Sequence, residues 1–217
     1  MNKKLADKIY GILEKTYPGA VTALVHDSPI QLLAATILSA QCTDKRVNIV
    51  TEKLFKKYIT VRDLASAKQT VLEKEIRSTG FYRNKAKNMI AAAKKIMTEF
   101  GGKVPSDMES LISLPGVARK TANIVLYHAF GRNDGIAVDT HVIRVSARLG
   151  MTENTDPEKI EKDLMKLFAK ERWGKLTNLI IEHGRAVCKA RRPMCPECRL
   201  KDLCPSSEKS DKEPAER

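Results

Sequence analysis

The sequence predicts an all-α protein, and three observations carry that prediction. Apolar residues recur at helical spacing in nearly every periodic stretch; strand-like alternation is confined to residues 21–25; and no repeat of fixed period suggests a solenoid. With 217 residues, the chain has room for one large domain or two small ones, and its 42% apolar content can supply a core.

Taken in order, Met1 to Lys8 lack an apolar signal core and read as the start of an amphipathic helix. No window approaches the ~18 apolar residues of a membrane span. A cytosolic protein with reduced thiols is the expectation. Residues 30–38 are apolar all round, which suits a helix buried in the middle of a domain. In residues 84–100, Met89, Ile90, Ala93, Ile96, Met97 and Phe100 make one apolar face, with Lys85, Lys87, Lys94 and Lys95 largely off it. Ile160, Leu164, Leu167 and Phe168 repeat the pattern, as do Leu176, Leu179, Ile180 and Val187. The tail, residues 205–217, is polar and charged and is expected to be disordered.

The formal charge of +13 favours a polyanionic partner, because each Lys or Arg that neutralises a phosphate releases a condensed counterion. Four of the five cysteines crowd together as Cys188, Cys195, Cys198 and Cys204, spaced C-x6-C-x2-C-x5-C. Structural zinc usually shows two C-x2-C knuckles or a cysteine–histidine mix, so one knuckle with wider outer gaps leans toward a [4Fe–4S] cluster, with zinc the alternative. Cys42 stands far away and reads as a small buried residue. Lys189, Arg191 and Arg192 lie between the first two ligands, where a metal centre could hold them for phosphate contact.

Residues 107–112 read as a short helix that Leu114-Pro115-Gly116-Val117 cannot continue: Pro115 lacks an amide donor and Gly116 permits a left-handed turn. A second helix follows, with Val117, Ala118, Ala122, Val125, Leu126 and Ala129 on its buried side. This helix–hairpin–helix offers backbone amides and a positive helix end to a phosphate. Lys120, Asn123 and Tyr127 share one face at i, i+3 and i+7. Lys120 sits in the first turn beside Arg119, where both the dipole and the neighbouring charge disfavour the ammonium; a neutral amine is what imine chemistry needs. Downstream, Asp139 is placed to cap the helix carrying Val142, Val145 and Leu149. His141, Arg144 and Arg148 share that helix's polar face, as packing or phosphate contacts.

These residues resemble the endonuclease III family, DNA glycosylase/lyases of the helix–hairpin–helix superfamily. The resemblance rests on residues 114–123, on Val138-Asp139-Thr140-His141 and on the four-cysteine loop; residues 38–44 and 80–86 resemble two further family motifs. It spans roughly residues 29–204. It implies a two-domain fold with DNA across the cleft: a six-helix domain at 22–133, and an iron–sulfur cluster domain from 1–21 plus 134–204. Lys120 then matches the family's nucleophile and Asp139 its essential aspartate. Gln41 matches the residue that fills the hole left by the extruded nucleotide, and Phe81 falls where the family places a wedge, usually leucine. Gly116, Ala118 and Arg119 are the hairpin's candidate DNA contacts, and Lys189, Arg191 and Arg192 those of the cysteine loop. The implied cofactor is one [4Fe–4S] cluster on Cys188, Cys195, Cys198 and Cys204. The implied partner is double-stranded DNA with damaged bases or abasic sites, bound by a monomer in a bacterial or archaeal cytoplasm, at the nucleoid.

Two departures stand out. Ala118 replaces the second glycine of the usual hairpin, and the loop Asn133-Asp134-Gly135 is slightly longer and lacks the family's proline. Among rival readings, a monofunctional glycosylase of the same superfamily generally lacks the hairpin lysine. A zinc-stapled DNA-binding module would be colourless, and an electron-transfer protein would need a redox partner site that the sequence does not display.

Overall fold

The computed structural model describes residues 1–207, which form two compact units. One runs from Thr22 to Arg132, and the other joins Met1–Val21 to the chain from Asn133 onward. All regular structure among the described residues is helical. No described helix is long and apolar enough to cross a membrane.

The discontinuous unit opens with α1 (Lys3–Thr16), whose first turn is capped by the Asn2 side chain accepting from the Leu5 amide. Residues 21–25, the one stretch with strand-like alternation, follow as irregular chain with Val21 and Val25 exposed.

The continuous unit contains α2 (Pro29–Leu38), α3 (Asp44–Lys57), α4 (Val61–Ala65), α5 (Gln69–Glu75), α6 (Tyr82–Glu99), α7 (Met108–Ile112) and α8 (Arg119–Phe130). These are seven α-helices, two of them only five residues long, with a short 3-10 turn (Arg77–Thr79) between α5 and α6. Every residue of α2 from Ile30 onward is buried, which is why the helix has no polar face. It shares one core with Leu54, Leu72, Ile76, Ile96, Leu111, Leu114 and Leu126. Each fully buried side chain of this size contributes about 1.5–3 kcal/mol of transfer free energy. Two placements differ from the periodic pattern. Lys85 is only 5% exposed and lies inside α6's buried face. Ala118 is exposed, because α8 begins one residue later and Ala118 is its N-cap.

Returning to the discontinuous unit, α9 (Thr140–Arg148), α10 (Pro157–Leu167) and α11 (Trp173–Ala186) close around a separate core of Ile9, Leu13, Val142, Val145, Ile160, Leu164, Leu176, Leu179 and Ile180. α9 packs closely on α11 at Gly184: a Cβ there would lie 2.9 Å from His141 Nδ1 and 3.0 Å from an Arg144 guanidinium nitrogen. Of the tail expected to be disordered, Pro205–Ser207 are ordered, because the Ser207 hydroxyl donates to the carbonyls of Lys201 and Cys204 at 2.9 and 2.8 Å. The remainder of that tail lies outside the described residues.

Candidate active site and cysteine loop

The hairpin is built by two buried side chains and one glycine. Leu114 and Val117 anchor the turn in the core, and the Val117 amide closes it on the Leu114 carbonyl at 3.1 Å. Between them Gly116 adopts φ 79°, and a Cβ there would sit 2.7 Å from the Asn88 Cβ. Position 116 therefore needs glycine twice over, for its backbone conformation and for space. Ala118 does not share that need: at φ −94° and ψ 169° it is ordinary extended chain that any residue adopts. No side-chain hydrogen bond caps α8, whose start is the positive end of its dipole. Arg119 is half-buried at the first helical position, and Lys120 is exposed at the second. Asn123, one turn on, is 4% exposed, and Tyr127 is half-buried.

In the other unit, Ile136, Ala137 and Val138 are all buried, and the Thr177 hydroxyl donates to the Ala137 carbonyl at 3.2 Å. This strap delivers Asp139 to the mouth of α9, where its Oδ1 accepts from the Val142 amide at 2.8 Å. Among the described residues no protein group meets its second oxygen. Capping thus fixes the carboxylate through one of its two oxygens.

Three non-glycine residues among those described have positive φ: Gln41 (53°), Phe81 (46°) and Arg192 (51°). All three belong to the candidate DNA-contact set, and left-handed backbone at such positions is strain of the kind that gathers at functional sites. Gln41 and Phe81 are exposed at the tips of turns that precede α3 and α6; Phe81 is 65% exposed, unusual for an aromatic side chain.

The cysteine loop leaves α11 at Cys188, whose amide donates to the His183 carbonyl at 2.9 Å. Cys195 opens a short 3-10 turn (Cys195–Glu197), Cys198 ends it, and Cys204 follows a second (Lys201–Leu203). All four thiols are half-buried. Burial pushes Cys198 and Cys204 up, and the neighbouring cysteines add to it, so the four sulfurs share one neighbourhood. Among the described residues no three His, Cys, Asp or Glu side chains are drawn together tightly enough to hold a metal ion. The donor chemistry nonetheless fits an iron–sulfur cluster, since four thiols come from one short segment.

Arg144 and Arg148, which could have been phosphate contacts, are committed to this loop. Arg148 donates to the carbonyls of Lys189 and Ala190 at 2.7 and 3.1 Å and approaches Cys188 Sγ at 3.4 Å. Arg144 donates to the Cys188 and Gly184 carbonyls at 3.2 and 3.1 Å. The exposed side chains of Lys189, Arg191 and Arg192 are thereby held on a loop whose backbone is tied down.

Three residues of consequence carried no clear sequence signal: Lys85, Gly184 and His183. The His183 imidazole is pushed down to about 4 by burial and is therefore neutral. With the Tyr17 hydroxyl 3.1 Å from Nδ1, the tautomer that accepts from Tyr17 turns an Nε2–H toward Cys198 Sγ, 3.7 Å away.

Residues 34–170 match the family model of the HhH-GPD superfamily base excision DNA repair proteins. The chain is 56% identical to endonuclease III of Synechocystis sp., over 96% of its own length and 95% of that protein's. It is also similar to the solved structure of a non-covalent endonuclease III–DNA complex, with TM-score 0.94 and 43% identity over 98% of this chain and all of that one. A trapped endonuclease III–DNA covalent intermediate matches with TM-score 0.93 and 44% identity, again over 98% of this chain and 100% of that chain. The chain belongs to the HhH-GPD superfamily of base excision DNA repair proteins and, within it, to the endonuclease III family.

Proposed function

We propose that this protein removes damaged bases from double-stranded DNA and then cuts the strand at the abasic site, with Lys120 as nucleophile. The observation that carries the reading is the placement of one exposed amine on the uncapped first turn of α8, immediately after a phosphate-ready hairpin. The relatives' DNA complexes, one of them a trapped covalent intermediate, support it.

In this scheme the lesion is flipped out of the stack, at a cost of a few kcal/mol that is least for damaged bases. Gln41 fills the space left behind and Phe81 wedges into the duplex, while Gly116, Ala118 and Arg119 hold the phosphates. The Lys120 amine attacks C1′; the C1′–N bond breaks and the base leaves with the bonding electrons and takes up a proton. The Asp139 carboxylate stabilises the developing positive charge on the sugar and relays protons. Loss of a proton from the amine and ring opening give an imine, which makes the 2′ protons acidic. Removing one of them expels the 3′ phosphate by β-elimination, and water then releases Lys120. Oxidised pyrimidines are the substrate class that the family resemblance favours.

Cys188, Cys195, Cys198 and Cys204 would hold one [4Fe–4S] cluster, which when bound would fix the loop carrying Lys189, Arg191 and Arg192; no step above draws electrons from it. The chain would act as a monomer at the nucleoid of a bacterial or archaeal cytoplasm, in keeping with the source of its relative from Synechocystis.

Duplexes carrying single defined lesions, incubated with and without borohydride, test the reading. The intact protein is expected to be trapped covalently on its substrates. Lys120→Gln should bind the same duplexes while losing base release, strand cleavage and the trapped complex. A wild-type protein that cleaves but is never trapped would overturn the nucleophile assignment.

A further inference from the structure

Lys85 is the one lysine in the buried face of α6, and its surroundings are unusual for a cation. Its ammonium donates to the Leu38 carbonyl and to the Thr79 carbonyl, each at 2.7 Å. Among the described residues these are its hydrogen-bond partners, and no carboxylate pairs with it. Burial pulls this ammonium below the usual lysine range, and the Cys42 thiol opposes the shift.

The two acceptors are not arbitrary carbonyls. Leu38 is the last residue of α2, and Thr79 is the last of the short 3-10 turn Arg77–Thr79. Each is an end carbonyl, and such groups lack partners within their own helices. Gln41 lies three residues beyond the first and Phe81 two beyond the second, and both hold left-handed backbone. One buried cation therefore ties together the roots of two strained turns that are 40 residues apart in sequence (81 minus 41).

We propose that Lys85 is a positioning residue for lesion extrusion: it joins the Gln41 turn and the Phe81 turn into a single rigid probe that enters the duplex as one body. The proposal rests on the reading that Gln41 and Phe81 are the residues that enter DNA. A buried ammonium suits the task. It can satisfy two carbonyls at once, which no apolar side chain of that length can do, and a carbonyl stripped of its donor inside the fold is costly.

A lysine that merely caps two helix ends would affect every property of the protein in proportion. A coupling residue acts only through the side chains it couples. The test is a cycle on the full chain with its bound cofactor: wild type, Lys85→Met, Gln41→Ala/Phe81→Ala, and the triple variant. Single-turnover release of an oxidised pyrimidine is measured alongside the fluorescence of 2-aminopurine placed opposite the lesion. Lys85→Met should lower excision and the fluorescence rise about tenfold in the wild-type background, but less than twofold where both probing side chains are already gone. Lys85→Arg, which keeps the cation and its donors, should recover most of the loss.

Equal losses in both backgrounds, or no loss in either, would overturn the proposal. If Gln41→Ala/Phe81→Ala excises at the wild-type rate, the insertion reading fails and takes the proposal with it. If that variant is impaired but Lys85→Met is not, only the proposal fails. Should Lys85→Met not fold, hydrogen exchange on the wild-type chain decides the matter. Amides at 40–42 and 80–82 are expected to open with one common free energy, and separate openings would refute the coupling.

Discussion

The hairpin before α8 depends on atoms that are missing as much as on those present. Gly116 combines φ 79° with an Asn88 side chain 2.7–3.0 Å from where a Cβ would stand. Gly116→Ala should therefore cost about 1–3 kcal/mol of stability through strained backbone and contact, read as a lower denaturation midpoint. It should also weaken binding to undamaged duplex, because the turn must shift. Full stability and unchanged affinity in the Gly116→Ala protein would show that neither constraint operates. Ala118→Gly, by contrast, should leave binding close to wild type, since extended chain at 118 already tolerates a side chain. The roles of Lys120 and Asp139 could be proposed from sequence because each depends on local context, a hairpin before one and a helix start after the other. Lys85 could not be read this way. Periodicity assigns charged residues to the wet face, and only the fold brings the Leu38 carbonyl, 47 residues away, to its ammonium.

At the scale of elements, α7 and α9 both start on an aspartate whose side chain caps the helix. Asp107 accepts from the Ser110 amide at 2.9 Å, and this bond, aided by the Ser110 side chain and by Arg132, holds its carboxyl below the usual range. A carboxyl lowered in the folded state stabilises the fold above its unfolded value of ~3.9. That stabilisation is lost as pH falls through the lower folded value. At neutral pH, Asp107→Ala should cost about 1 kcal/mol, a fall of about 2–4 °C in Tm for a chain of this size. Asp107→Asn keeps the acceptor but cannot titrate, so its Tm relative to wild type should be constant above pH ~5 and rise below pH ~4. A difference that is flat across the acid range would mean the cap carries no titrating charge. Most helices were legible because their apolar stripes are periodic, as in α10 and α11. The close packing of α9 on α11 was not, because a glycine inside a helical pattern gives no hint of which neighbour it admits. Only the contact of Gly184 with His141 and Arg144 supplies that answer.

The whole molecule carries two separate cores and an excess of 13 positive charges. A charge excess alone favours polyanions without saying where they bind, because many of these cations are already engaged within the fold. Arg144 and Arg148 spend their guanidinium groups on the cysteine loop, and Arg172 pairs with Asp7 at 2.6 Å. Lys189 and Arg191 differ: their side chains are exposed on a loop whose backbone is held. If they meet phosphates, each releases counterions on binding, and the slope of log affinity against log salt measures how many. Lys189→Ala and Arg191→Ala should each make that slope shallower by about 0.9 on duplex DNA, with affinity falling alike for damaged and undamaged sequences. Lys166→Ala removes an equally real charge, but one that is exposed on α10 with Asp163 3.8 Å away. The slope should not change for that variant. Were all three substitutions to shift the slope equally, binding would follow net charge and the cysteine loop would hold no privileged position. A change confined to the loop variants would instead locate the phosphate contacts on the loop that Arg144 and Arg148 hold.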